Sequence, residues 1–129
     1  MLSQAPIAAT LPFRGLDKAE QFYGQRLGLE RLSGSVEDGY LVYQAGQGTT
    51  LQLFESTSDK KSENTAATFE VSDLDREMET LRKKGITFEE YDLPGVKTVN
   101  GVADANGMGR IAWIKDPDGN VIALHEGAS

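Results

Sequence analysis

A stretch near the start of the chain recurs 58 positions later in altered form. Ala8-Ala9-Thr10-Leu11-Pro12-Phe13-Arg14-Gly15-Leu16-Asp17 is answered by Ala66-Ala67-Thr68-Phe69-Glu70-Val71-Ser72-Asp73-Leu74-Asp75. Each copy reads as a short strand, a turn and the opening of a charged amphipathic helix. The chain is therefore expected to be two similar modules, with a cavity between them.

The rest of each module follows from its punctuation. In the first, residues 6 to 12 suit a strand, and Asp17 with Glu20 three residues on fits a capping box. Leu16, Ala19, Phe22, Tyr23 and Leu27 then recur at helical spacing until Gly28, which suits a left-handed helix end. Three extended stretches, about 29 to 35, 39 to 45 and 49 to 55, are divided by Gly34, Asp38-Gly39 and Gly46-Gln47-Gly48. The second copy predicts a strand near 65 to 71, a helix over about 73 to 84 with Leu74, Met78 and Leu81 on one face, and strands near 86 to 91, 110 to 115 and 120 to 126. The expected class is α+β: two βαβββ modules, about 6 to 55 and 65 to 126, in one domain spanning residues 1–129, with the polar stretch 56 to 64 as a surface linker. Pro94 to Gly109, with four glycines and little periodicity, reads as a long loop: a lid over a site, or an insertion without a role.

Composition removes several function classes. A net charge of -7 disfavours a phosphate backbone, so no nucleic-acid partner is expected. Without cysteine there is no disulfide, thiolate nucleophile or Cys-ligated metal. No segment is apolar for the roughly 18 residues of a membrane span, and the N-terminus lacks the pattern of a signal peptide, so no membrane partner and a cytoplasmic location are expected. No Gly-rich phosphate loop, nucleotide fingerprint or serine triad stands out, and no catalytic residue is assigned.

The paired openings ending in Gly15-Leu16-Asp17 and Asp73-Leu74-Asp75, Phe22-Tyr23 with Leu27-Gly28-Leu29, and the closing run Lys115-Asp116-Pro117-Asp118-Gly119-Asn120-Val121-Ile122 resemble the vicinal oxygen chelate superfamily. That superfamily holds glyoxalase I, extradiol dioxygenases, fosfomycin resistance enzymes and bleomycin resistance proteins. The resemblance spans nearly the whole chain and implies the fold and half-barrel sheets; it does not select a reaction. Asp-Pro-Asp-Gly itself has a sufficient structural explanation as a hairpin turn.

The resemblance also implies where metal ligands would stand: Ala8, Ala66, Gln52 and Ala123. Methyl groups donate nothing to a divalent ion, and His125 is the only histidine, so a triad of two histidines and a carboxylate cannot be assembled within one chain. No metal and no cofactor are expected. Glu55 and Glu126 lie three residues from Gln52 and Ala123, an odd step that turns them to the opposite strand face. Even steps bring Thr10, Thr68, Phe54 and His125 onto the face of the metal positions.

The candidate ligand-binding residues are therefore Thr10, Gln52, Phe54, Thr68, Trp113 and His125. Each has a plainer alternative: Gln52 satisfying backbone or water, His125 as a solvated side chain, and Trp113 with Tyr40, Tyr43 and Phe54 as core or interface filling. The sequence favours a protein that sequesters or senses a small organic molecule, aromatic or cationic, and pairs as a homodimer. A lyase, isomerase or dioxygenase with an atypical or metal-independent site is the second reading, and a purely structural module the third.

Overall fold

The computed structural model describes residues 2–4, 7–56, 64–104 and 107–127. Most of the expected linker, residues 57–63, lies outside them. The chain divides into two compact units, Met1–Lys60 and Lys61–Ser129, each with a four-stranded curved sheet and one main helix.

In the first unit, strand β1 (Ala8–Phe13) leads through a turn into α1 (Leu16–Ala19), which continues as a π-helical stretch, Glu20–Arg26. Strands β2 (Glu30–Ser35), β3 (Tyr40–Gln44) and β4 (Thr50–Glu55) follow, and the sheet order is β1-β4-β3-β2. β1 and β4 run parallel; the other pairs are antiparallel. Alternation along the strands turns Leu11, Phe13, Leu41, Tyr43, Leu51 and Leu53 into the core, where Leu16, Ala19, Phe22 and Tyr23 of the helix meet them. Tyr23 stands edge-on to Phe13, with ring centroids 5.7 Å apart, and 6.1 Å from Tyr43.

The winding of this helix has a cause visible in the repeat. Eleven residues separate Leu16 from Gly28, whereas ten separate Leu74 from Gly85, the matching positions of the second copy. The additional residue is absorbed by wider winding: the Leu27 N–H donates five residues back to the Phe22 carbonyl at 2.9 Å. Gly28 ends the helix at φ 75°, as expected. The capping box does not form. The helix starts two residues earlier than the Asp17 cap requires, with Gly15 at its N-cap and no side-chain cap, so Asp17 lies inside the first turn. Glu20 instead reaches across to Tyr43.

In the second unit, β5 (Thr65–Glu70) leads to α2 (Leu74–Lys83), whose Leu74, Met78 and Leu81 are buried. Here the cap is made: Asp73 accepts from the Arg76 N–H at 3.2 Å. After α2 come β6 (Asp92–Leu93), β7 (Val96–Lys97), β8 (Ala103–Asp104), β9 (Arg110–Lys115) and β10 (Val121–Glu126). The sheet order β5-β10-β9-β8 repeats the first unit, with β5 parallel to β10.

Two expectations fail in this unit. Residues 86 to 91 form no strand: Ile86 and Phe88 are buried in the alternating way that suggested one, yet the ladder to β9 has a single bond, Glu89 N–H to the Trp113 carbonyl at 2.8 Å. Nor is 94–109 a plain loop. The turns Pro94-Gly95 and Asn100-Gly101 fold it back, β6 on β7 and Val99 on Val102, and β8 forms the sheet edge. Asn100 and Gly101 are both left-handed, φ 52° and 83°, as a primed two-residue hairpin requires. Strands of two residues are too short to show a period. Ala105 and Asn106 lie outside the described residues.

The β9–β10 turn is built as the Asp-Pro-Asp-Gly motif implied. The buried Asp116 carboxylate accepts from the Asp118 N–H (3.0 Å), the Asn120 N–H (2.8 Å) and the Asn120 amide (2.8 Å), and Gly119 sits at φ 88°.

Candidate functional site

The candidate residues divide three and three between the units, and within each unit they share one sheet face. In the first unit Thr10 lies directly across from Gln52, and Pro12 from Phe54; Phe54 in turn faces Tyr40, and Gln52 faces Val42. Because their strand neighbours are the buried residues under α1, these side chains project from the opposite face. Thr10 and Gln52 are exposed there, with Tyr40 and Phe54 at 44% and 43%. The row offers a hydroxyl, an amide and two aromatic rings.

Tyr43 does not join that aromatic row. One residue out of step with Tyr40 and Val42, it points under the helix, is fully buried, and donates its hydroxyl to Glu20. Burial and the Glu20 carboxylate push its pKa far above the ordinary tyrosine value, so it stays a neutral donor. Arg31 lies 3.7 Å from the same carboxylate.

In the second unit Thr68, Ala123 and Trp113 are in register across three strands, and Glu70, His125 and Ile111 form the next row. The Trp113 indole N–H donates to the Thr65 hydroxyl at 3.2 Å, and Tyr91 stands edge-on to the indole with centroids 5.3 Å apart. His125 is not a freely solvated side chain: its Nδ1 lies 2.7 Å from Glu70 Oε2 and its Nε2 2.7 Å from the Met108 carbonyl. Glu70 and that carbonyl hold the imidazole pKa above its ordinary value. Glu70 belongs to the repeated segment, but its pairing with His125 depends on the parallel β5–β10 register, which sequence alone does not give.

Glu126 turns to the helix face, as an odd step from Ala123 requires. Its Oε2 accepts the Leu74 N–H at 2.7 Å, and Arg110 bonds it at 3.0 Å while gripping Asp75 with two bonds of 3.1 Å. The Leu74 N–H and Arg110 lower its pKa. This carboxylate anchors the start of α2.

The positions at which the superfamily implies metal ligands do not fit a metal. Ala8, Ala66 and Ala123 carry methyl groups and Gln52 a single amide oxygen, and among the described residues no group of three or more His, Asp or Glu could hold an ion. An open recess of about 610 Å³ does exist in the second unit, lined by Arg82, Ile86, Phe88, Glu90 and Asn100, and none of the candidate residues lines it. There Arg82 lies 5.2 Å from the Phe88 ring and donates to the Asn100 carbonyl at 2.9 Å, bracing the Asn100-Gly101 turn.

Residues 7–124 match the sequence profile of the Glyoxalase/Bleomycin resistance protein/Dioxygenase superfamily. The chain belongs to that superfamily. Its fold is shared with TnmS3, an antibiotic binding protein from Streptomyces sp. CB03234, at 22% identity and TM-score 0.69 over 97% of this chain and 98% of the other. The fosfomycin resistance protein FosX from Listeria monocytogenes is similar at 18% identity and TM-score 0.70, over 97% and 92%. Lactoylglutathione lyase from Agrobacterium tumefaciens is similar at 22% identity and TM-score 0.68, over 96% and 94%. No curated protein sequence matches the chain. Within one superfamily fold the similar structures thus include a binding protein and enzymes. No described helix is long and apolar enough to cross a membrane.

Proposed function

We propose that this member of the glyoxalase/bleomycin resistance superfamily is a cytoplasmic protein that binds a small organic molecule without a metal, sequestering or sensing it. The observation that carries this reading is the exchange of donors for contact surface: methyl groups stand at three of the four implied ligand positions and the Gln52 amide at the fourth, while the same strand faces present Thr10 and Phe54 in one unit and Thr68, Trp113 and His125 in the other. A few polar groups set among aromatic and aliphatic ones suit an organic ligand, aromatic or cationic, better than an ion. The antibiotic-binding neighbour is in keeping with it.

Native mass spectrometry of protein purified without added ligand, with elemental analysis after dialysis against divalent metals, tests the reading. The expected result is no stoichiometric metal and a retained or titratable organic molecule; one tightly held metal ion per chain refutes it. Gln52→Ala and Trp113→Ala are each expected to weaken binding by about 1–3 kcal/mol. A metal-independent enzyme is the second reading, favoured by the His125–Glu70 pair, which supplies a proton-bearing group beside the candidate surface. Turnover lost in His125→Gln with binding retained would select it. We also propose a homodimer, since Leu32, Tyr40 and Phe54 leave apolar surface exposed; light scattering giving a monomer at micromolar concentration would exclude it.

A further inference from the structure

The Asn100-Gly101 turn, which leads into β8 of the second unit, is held by two charged side chains that grip one peptide group from opposite ends. The Arg82 guanidinium donates to the Asn100 carbonyl at 2.9 Å, and Glu90 Oε1 accepts the Gly101 N–H at 2.6 Å. The carbonyl and the N–H belong to the same planar peptide and point in opposite directions. Asn100 at φ 52° and Gly101 at φ 83° form a primed turn, closed by the two bonds between Val99 and Val102. With both φ values positive the turn is type I′, in which ψ of the first central residue is about +30°. Packing demands glycine at the second place: a Cβ on Gly101 would stand 3.0 Å from Phe88 Cβ and 3.2 Å from Met78 Cε. The same missing side chain leaves the Gly101 nitrogen unhindered beside the Asn100 side-chain amide.

We propose that Asn100 is a latent deamidation site that Arg82 and Glu90 keep closed. In that reaction the Gly101 nitrogen forms a bond to Asn100 Cγ and gives up its proton, the side-chain amide leaves as ammonia, and a five-membered imide remains. Water then opens either of the two imide C–N bonds, leaving an aspartyl or an isoaspartyl residue. At ψ of about +30° the Gly101 nitrogen lies on the far side of the Cα–C bond from the Asn100 side chain; ring closure needs about −120°, the value of a type II′ turn. Asn100 already has the positive φ that both turn types share, so the movement required is a flip of the Asn100–Gly101 peptide. That flip turns the Asn100 carbonyl toward the Glu90 carboxylate and the Gly101 N–H toward the Arg82 guanidinium. It breaks two charge-assisted hydrogen bonds and sets acceptor against acceptor and donor against donor. Once the imide opens to the isoaspartyl form, an extra backbone carbon removes the two-residue spacing of the hairpin, and the clamp is not remade. Either product adds a carboxylate at the recess that Arg82, Phe88 and Glu90 line.

The test follows deamidation of the full chain at mildly alkaline pH by mass spectrometry. Trypsin leaves residues 98–110 as one peptide with two Asn-Gly pairs, Asn100-Gly101 and Asn106-Gly107, so tandem fragmentation assigns the site. In urea both pairs react as unfolded Asn-Gly sequences, which gives the reference rate. In the folded wild type Asn100 is expected to react at least about tenfold more slowly than this reference, and Arg82→Met and Glu90→Ala should each speed it about tenfold by removing one bond to a charged partner. Asp73→Ala loosens the same unit away from the turn and should leave the Asn100 rate unchanged, which separates release of the clamp from general unfolding. If Asn100 reacts as fast in the folded wild type as in urea, if either Arg82→Met or Glu90→Ala leaves its rate unchanged, or if Asp73→Ala speeds it equally, the clamp is overturned. A slower reaction in Glu90→Ala overturns it as well, since Glu90 then acts as the base that draws the proton from the Gly101 nitrogen. The ligand-binding reading is untouched by any of these outcomes.

Discussion

The two units repeat one topology and fill it differently. Their helices present different side chains at one inner position: Glu20 in the first unit corresponds to Met78 in the second, each four residues after the matched leucines Leu16 and Leu74. Across from them, Tyr43 and Ile114 hold corresponding places in register, paired with Leu51 and Ile122, which pair in turn with Ala9 and Ala67. At these places one unit thus holds a hydroxyl bonded to a carboxylate and the other two apolar side chains, Met78 and Ile114. On the opposite face Gln52 corresponds to Ala123 and Phe54 to His125. Strand order and direction tolerate all of these exchanges because they depend on the apolar period and the turns. Surface chemistry depends on which atom stands at each place.

Transferring the first unit's solution to the second should break the comparison most severely. Met78→Glu buries a carboxylate where no tyrosine hydroxyl answers it, and a loss of about 3–5 kcal/mol is expected in denaturant unfolding. The reverse experiment is milder. Glu20→Ala strands the Tyr43 hydroxyl and should cost about 1–3 kcal/mol, whereas Glu20→Met with Tyr43→Phe, which removes both polar partners, should restore most of that loss. If the double variant is less stable than Glu20→Ala, the polar pair is not a replaceable equivalent of the apolar one.

The helix starts offer a finer contrast. Asp73→Ala is expected to cost about 1 kcal/mol, and Gly15→Ser to gain a few tenths, since glycine is a tolerable cap and a Cβ at Gly15 meets nothing closer than 3.4 Å. Equal effects from the two changes would mean that the caps are not comparable. The smallest effect should come from pH. The folded pKa of His125 is raised, so its contribution to stability is fully present below the unfolded value of 6.5 and lost as pH rises through the folded value. The stability difference between wild type and His125→Gln should therefore shrink from pH 6 to pH 9; a difference that grows with pH refutes the raised pKa.

The facing of most candidate residues was legible because strand alternation is a local property. Even steps from the positions the resemblance implies place Thr10 and Phe54 on the face of Ala8 and Gln52, and Thr68 and His125 on that of Ala66 and Ala123, and an odd step turns Glu126 away from Ala123, as the register has them. The parity of Tyr43 was equally available in Tyr40-Leu41-Val42-Tyr43, although grouping residues as aromatic obscured it. The β6–β8 hairpins were less legible, because two-residue strands have no period and only Asn100-Gly101 marks the reversal.

By itself the sequence determined the α+β class, the repeated strand-turn-helix openings, the helix residues that point inward, and the methyl groups at three of the four positions the resemblance implies for metal ligands, since each follows from periodicity, turn chemistry or side-chain identity. Only the tertiary structure decided that Glu20 answers Tyr43, that Glu126 and Arg110 anchor α2, and that Glu70 and the Met108 carbonyl flank the His125 ring and raise its pKa. Those contacts join residues 16 to 55 positions apart along the chain, and local rules do not fix the register of parallel strands or the landing point of a turn.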